Sequence, residues 1–350
     1  MSDLLTFTDR GIYCEAGDFH IDPWQPVDRA LVTHGHADHA HEGMNHYLAT
    51  DIAAPVMRHR LGDISLDTIC YGETRRIGDV TVSFHPAGHV PGSAQIRIER
   101  RGEVWVASGD YKTIDDGLST PFEPVKCDAF ITESTFGLPV FKWTPQDELA
   151  RDLNAWWAAN AAEGRFSLIG AYALGKAQRI LTLADTSIGP ILTHGAVENT
   201  NAVLRAQGIA LPDTIRVTPD IDLKAYPGAL VVATPSGLGG PWSRRFGTAA
   251  NPASTAFASG ARTSTTWVAS SRVGTSTRPR GLSEIFLNTS PMPRSSIVST
   301  LEGMVRNTAP APRFWLNALT RKRATPGTSK EKSVSRNSSK SLRCLSFMMS

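Results

Sequence analysis

Residues 33–39 read THGHADH, crowding His34, His36, Asp38 and His39 into six positions just behind the apolar run Ala30-Leu31-Val32. Imidazole nitrogen and carboxylate oxygen are the donors that suit zinc and related divalent ions in catalytic sites. Alternate residues His34 and His36 can reach one ion, and Asp38 and His39, past the turn, can reach a second. Two adjacent ions clamp the attacking and leaving oxygens of a phosphoester. A single loop histidine reads as a solvated surface group. A string this dense, at the end of a buried-type strand, reads as a metal centre.

The flanks read as short strands broken by turns. LLTFTD, GIYCEAG and FHIDPW precede the cluster; VTVSFHPAGH and SAQIRIERRGEVWVASGD follow it, the second folding back at Arg100–Gly102 as a hairpin. Several strands end on chemically loaded residues: His34, His89, Asp110 and Glu133. Delivery of such groups to one sheet edge is how a layered α/β site is assembled. His85, inside an alternating strand, reads as structural. His41, His46 and His59 read as solvated helix residues.

From about residue 144 the rhythm changes to strand–helix units. TPQDELARDLNAWWAANAAEG opens with Thr144 as N-cap, Pro145 in the first turn and Asp147/Glu148 at the positive end, and closes at Gly164. FSLIGAY followed by LGKAQRILTLAD, then GPILTHG followed by AVENTNAVLRAQG, repeat the pattern, and ALVVATPSG is a further buried strand. This predicts an inserted α/β layer with a parallel sheet over 135–225, and a return to the first domain over 226–260.

The chain has 350 residues and a net charge of +3, which conceals an asymmetry. Residues 1–243 hold 19 basic and 30 acidic side chains; residues 244–350 hold 17 basic and three acidic ones, with no aspartate and no histidine. The Ser/Thr/Arg-rich stretch 261–350 reads as a basic, low-order tail that cannot bury enough apolar surface to order itself. The four cysteines (Cys14, Cys70, Cys127, Cys344) form no CxxC pair, which argues against a disulfide framework or zinc ribbon. No apolar run approaches membrane-span length, and MSDLLTFTDRG has neither a basic lead nor an apolar core, so a cytoplasmic location is expected.

The motifs now carry a resemblance. HGHADH resembles the metal motif of the metallo-β-lactamase fold, GHVPGSA its third motif with His89, SGDY its fourth with Asp110, and HIDPW its first with Asp22. TEST, carrying Glu133, resembles the first motif of the β-CASP nucleic-acid-processing branch. Within that branch the chain is similar to the ligase-associated DNA exonucleases and mRNA 3′-end processing factors, from residue 1 to about 260. The resemblance implies an αββα sandwich with an inserted β-CASP-like α/β domain. It also implies two divalent ions, zinc or alternatively manganese, held by His34, His36, Asp38, His39, His89 and Asp110. Asp22 would orient ligands, Asp38, Asp110 and Glu133 would serve catalysis, and Lys176, Arg179, Arg244 and Arg245 would contact phosphate. The implied activity is metal-dependent exonucleolytic cleavage of DNA in a repair context, with a DNA ligase as partner. RNA 3′-end processing is the alternative within the fold. A non-catalytic nucleic-acid-binding protein using its basic tail is the alternative outside enzymes.

The resemblance also predicts a SDHADW-like and a THG-like string after Ala258-Ser259-Gly260, and the chain has neither; its last histidine is His194. His194 reads as structural or substrate-facing, not as a terminal metal ligand. The charge inversion and loss of pattern point to a shift of reading frame between about 248 and 262, against which stands a divergent basic tail. Either way, the second metal site is expected to be incomplete and the activity impaired.

Overall fold

The computed structural model describes residues 3–133, 144–238 and 240–247, together with the backbone strands at 141–143, 251–253, 261–263 and 343–347. The N-terminal part is built from two six-stranded sheets. The first contains β1 (Thr6–Phe7), β2 (Ile12–Cys14), β3 (Phe19–Ile21), β4 (Arg29–Leu31), β5 (His46–Thr50) and β6 (Leu66–Ile69), paired in sequence order. The second contains β7 (Thr74–Ile77), β8 (Val80–Pro86), β9 (Ala94–Arg100), β10 (Glu103–Ala107) and β11 (Ala129–Glu133), with residues 343–347 as its sixth strand. The sheets share one core: Phe19, Ile21, Leu31 and Leu48 from the first meet Val82, Phe84, Ile96, Ile98 and Trp105 from the second. Helix α1 (Ala54–Leu61) covers the outer face of the first sheet, where Ala54 and Met57 pack with Ala30, Val32 and Tyr47. The predicted hairpin joins β9 to β10 through Arg101 (φ +51°) and Gly102 (φ +82°). Both central residues at positive φ match the right-handed twist of the strands they join.

The second layer is α/β. A parallel sheet is ordered β15 (Ile215–Arg216), β14 (Ile191–Thr193), β16 (Leu230–Ala233), β13 (Ser167–Gly170) and β17 (Asn251–Ala253). On one face α2 (Gln146–Ala162), α3 (Lys176–Leu183) and α4 (Gly195–Ala206) bury Leu153, Trp157, Ile180 and Val197 against Ile169, Leu230 and Val232. On the other face Leu168, Leu192 and Val231 meet Trp242 and Phe246. Helix α2 begins one residue later than Thr144 implies, with Pro145 as its N-cap at ψ 147°, an extended geometry that the helix interior excludes.

Two expectations from sequence differ from what is observed. Leu230–Ala233, placed by sequence in a return to the first domain, hydrogen-bonds between β13 and β14 instead. All four of its residues are buried, as befits a central parallel strand covered on both faces. Within the stretch read as an irregular tail, β18 (Ala261–Thr263) pairs with β12 (Phe141–Trp143), and β19 (Arg343–Phe347) runs parallel to β11. One edge of β11 is therefore covered by β19. The remainder of 264–342, the 248–262 interval apart from its strands, and the reading-frame question lie outside the described residues.

Candidate metal centre

Four imidazoles and three carboxylates meet where the strand ends of the two sheets converge. His34, 0% exposed, follows β4; His36 and His39 lie in the turn behind it. Arg60 of α1 holds that turn in place, donating to the carbonyls of Gly35 at 2.7 Å and Ala40 at 3.4 Å. His89 follows β8, and Asp110 follows β10 through Gly109. Gly109 has φ +52° and lies where a Cβ would meet Thr33 at 2.6 Å, so only glycine lets the chain turn Asp110 into the cluster.

The ring nitrogens that face away from the cluster have defined partners. Asp22, in the left-handed region at φ +44°, accepts hydrogen bonds from Thr33 N at 2.8 Å, Thr33 Oγ1 at 2.5 Å and His39 Nδ1 at 2.7 Å. Because the Thr33 hydroxyl donates to Asp22, it accepts from His34 Nδ1 at 3.1 Å. His36 Nε2 donates to the carbonyl of Leu174 at 3.2 Å. His34 and His36 are thereby fixed in one tautomer, each with its other nitrogen, a bare lone pair, turned inward, while His39 turns Nε2 toward Asp110.

Those inward atoms form a compact set. His34 Nε2 lies 2.9 Å from His36 Nδ1, which lies 3.3 Å from His89 Nε2. Asp110 Oδ2 is 3.3 Å from His89 Nε2 and 3.9 Å from His34 Nε2. Donors bonded to a tetrahedral zinc ion lie about 3.3–3.4 Å apart. The spacing fits an ion, and lone pairs facing one another at 2.9 Å need a cation between them. Protonation alone is disfavoured: burial, then the neighbouring rings, hold His34 well below the usual histidine range, and burial followed by His36 pushes His89 down to about 3.

A second donor group shares Asp110: His39, Asp110 and Glu133, all ligand atoms within 4.8 Å of one another. Asp110 Oδ1 is 3.6 Å from His39 Nε2. Burial opposes charge on both partners, yet His39 is held well above its ordinary value by Asp22 and Asp110, while its hydrogen bond and the other imidazoles hold Asp110 at about 2. Glu133 is pushed up to about 7 by burial and then by the Asp110 charge. Asp38, expected in this second group, has a side chain 77% exposed with Oδ2 3.9 Å from His39 Nε2. It lies at the rim and Glu133 stands closer in, because the turn after His36 directs residue 38 to solvent.

The cations separate into two sets. Lys176, first residue of α3, has its ammonium 4.7 Å from the Tyr172 ring centre; burial lowers its pKa while Asp110 and Asp38 raise it, so it faces the site. Arg179 donates to Gln146 Oε1 at 2.9 Å. Arg244 and Arg245 are exposed beyond β16, at the short helix Pro241–Arg244, and Arg245 donates to the Pro219 carbonyl at 3.1 Å. His194 caps α4, accepting from Ala196 N at 3.2 Å, with its ring against Trp242. His85 bridges Ser83 and Glu123, and His46 sits at the start of β5, not on a helix, beside Ser65 and Asp67. Sequence reasoning missed Leu174 and Arg60, whose contributions are a backbone carbonyl and a long-range contact, neither of which leaves a local pattern.

No protein-family model matches the chain. Over 240 residues, 67% of this chain, it is 27% identical to a probable DNA ligase of Opitutus terrae, 23% of which is covered. Over 146 residues it is 34% identical to endoribonuclease YSH1 of Candida albicans, covering 41% of this chain and 16% of that one. Over 205 residues it is 29% identical to ribonuclease TTHA0252 of Thermus thermophilus, covering 51% and 45%. The names of these relatives point to the metallo-β-lactamase/β-CASP nuclease family. The two-sheet sandwich with an added α/β layer fits a metallo-β-lactamase-like α/β fold, and the His/Asp groups are candidate divalent-metal sites. The matched segments span less than half of each of these three relatives. Among the described residues no helix is long and apolar enough to cross a membrane.

Proposed function

We propose that the chain is a metal-dependent phosphodiesterase acting on nucleic acid. The observation that carries this is the ring of inward lone pairs: His34 Nε2, His36 Nδ1 and His89 Nε2 with Asp110 Oδ2, their outward nitrogens on His34 and His36 already committed. His34, His36, His89 and Asp110 would hold one divalent ion; His39, Asp110 and Glu133 would hold a second, with Asp38 at the rim. Bound there, the pair supplies Lewis-acid polarisation of a phosphoryl oxygen and an activated water. The protein's own part is positional. Asp22 orients His39 directly and His34 through Thr33, and Asp110 offers one oxygen to each group. Lys176, facing both Asp110 and Asp38, places a positive charge where a phosphate would approach. Arg179 lies one helical turn beyond it, and Arg244 and Arg245 would serve a more distant part of a long substrate.

A relative matched over 67% of this chain is named a probable DNA ligase, and that name supports DNA as substrate and a ligase as partner; exonucleolytic action in repair extends this reading. Relatives named endoribonuclease and ribonuclease support the second reading, RNA processing. Zinc is the ion proposed, on the strength of three imidazoles to one carboxylate. Parallel digestion of end-labelled DNA and RNA, with zinc or manganese and after chelation, tests all of this. Release of mononucleotides from DNA alone supports the first reading, and internal cleavage of RNA alone supports the second. No metal-dependent cleavage of either overturns both.

A further inference from the structure

The hydrogen bond from His36 Nε2 to the Leu174 carbonyl joins residues 138 positions apart and crosses between layers. A carbonyl only accepts, so Nε2 carries the hydrogen and Nδ1 faces the other donors bare. His34, His36, His89 and Asp110 belong to the first layer; Leu174 belongs to the connection between β13 and α3 in the second.

That connection is seated on three sides. The Leu174 side chain is buried with Val56, Val90 and Leu204. Gly175, at φ +82°, lies where a Cβ would meet Val90 Cγ1 at 2.4 Å. Gln178, fully buried, accepts from Gly175 N at 2.7 Å and donates to the Ala173 carbonyl at 2.9 Å and to Asn201 Oδ1 at 2.7 Å. These contacts hold the connection where the Leu174 carbonyl meets His36.

We propose that the 171–176 connection is a positioning device: the Leu174 carbonyl fixes the tautomer and ring orientation of His36, so the first donor group reaches full metal affinity only while the inserted layer is docked there. The proposal rests on the metal-holding part of the reading above and not on the nuclease part. Leu174 acts through His36 and is a positioning residue. With the connection displaced, the His36 hydrogen is free to move to Nδ1, where it points at the other donors. Loss of such an outer partner lowers metal affinity about 10- to 100-fold.

The test uses Gly175→Ala, which places a methyl where Val90 stands and a side chain at a φ that L-residues avoid. Nitrogen-15 NMR of the metal-free, histidine-labelled full chain reads the His36 tautomer, and chelator competition with Zn²⁺ reads affinity. The wild type is expected to show the Nε2–H form. Gly175→Ala should lose that preference and bind one ion about 10- to 100-fold more weakly, with a cooperative thermal transition retained. Adding Val90→Ala should recover part of the affinity. An Nδ1–H tautomer in the wild type, or unchanged zinc affinity in Gly175→Ala, overturns the proposal alone. Failure of the wild type to take up any ion overturns the metal-holding reading and this proposal with it.

Discussion

Asp110 is the residue on which both donor groups depend, since each uses one of its oxygens. Asp110→Asn is therefore expected to reduce uptake of both ions, whereas His89→Ala should reduce uptake of one. Metal analysis after gel filtration distinguishes the two, and equal losses would contradict the shared role. Asp22 touches no inward donor, yet accepts three hydrogen bonds that orient His34 and His39. Asp22→Asn replaces an acceptor oxygen with a donor NH₂ against existing donors. It should weaken metal binding about 10- to 100-fold by chelator competition while leaving the fold intact. The HGHADH residues stand out in the sequence as a dense run of metal-suited donors behind a strand, whereas Asp22 comes only from the resemblance of HIDPW to a family motif. Glu133's place beside Asp110 and His39 was less legible: nothing local distinguishes a carboxylate that turns inward, as Glu133 does, from one that turns outward, as Asp38 does.

At the level of elements, α4 is tied to its sheet by Glu198. Its carboxylate accepts from Thr193 at 2.7 Å, Thr214 at 2.6 Å and Arg205 at 2.8 Å. Burial pushes its carboxyl up, but the hydrogen bonds from Thr214, Thr193 and Arg205 prevail and hold it below the ordinary carboxylate range. A depressed folded-state pKa contributes stability above the unfolded value of about 4.3, and that contribution disappears as pH falls through the folded value. The gap in melting temperature between wild type and Glu198→Gln should accordingly be widest near neutrality and close on acidification. A gap independent of pH would remove Glu198's charge from the account. Trp157 anchors α2: its ring is wholly buried and Nε1 donates to the Gly228 carbonyl at 2.9 Å. Trp157→Ala should cost about 3–5 kcal/mol in urea-monitored unfolding. The strand–helix alternation that produces these elements was readable because period and punctuation are local. The lateral order of the parallel sheet was not, since β16 lies between β13 and β14 although it follows both in sequence.

For the whole molecule, metal occupancy and stability are linked. An ion bound only by the native state adds about 2.7 kcal/mol at a hundredfold excess over its dissociation constant. Chelation should therefore lower the melting temperature, and Zn²⁺ should restore it in a concentration-dependent way, by scanning fluorimetry. The sequence after residue 250 belongs to this scale too. Reading the other two frames of the gene beyond codon 250 is expected to yield SDHADW-like and THG-like strings. Their absence from both frames would leave the basic tail as the chain's own sequence.

The sequence by itself determined the chemistry available: a run of imidazoles behind a buried strand, carboxylates at later strand ends, and a strand–helix layer after them. These are local regularities, set by side-chain period and by glycine and proline punctuation. Only the tertiary structure decided which lone pairs face one another. That depends on the Asp22–Thr33–His34 chain, on Arg60 reaching from α1, and on a carbonyl of the second layer against His36. Hydrogen-bond partners far apart along the chain are chosen by packing, and a backbone carbonyl, identical in every residue, leaves no trace in the order of side chains.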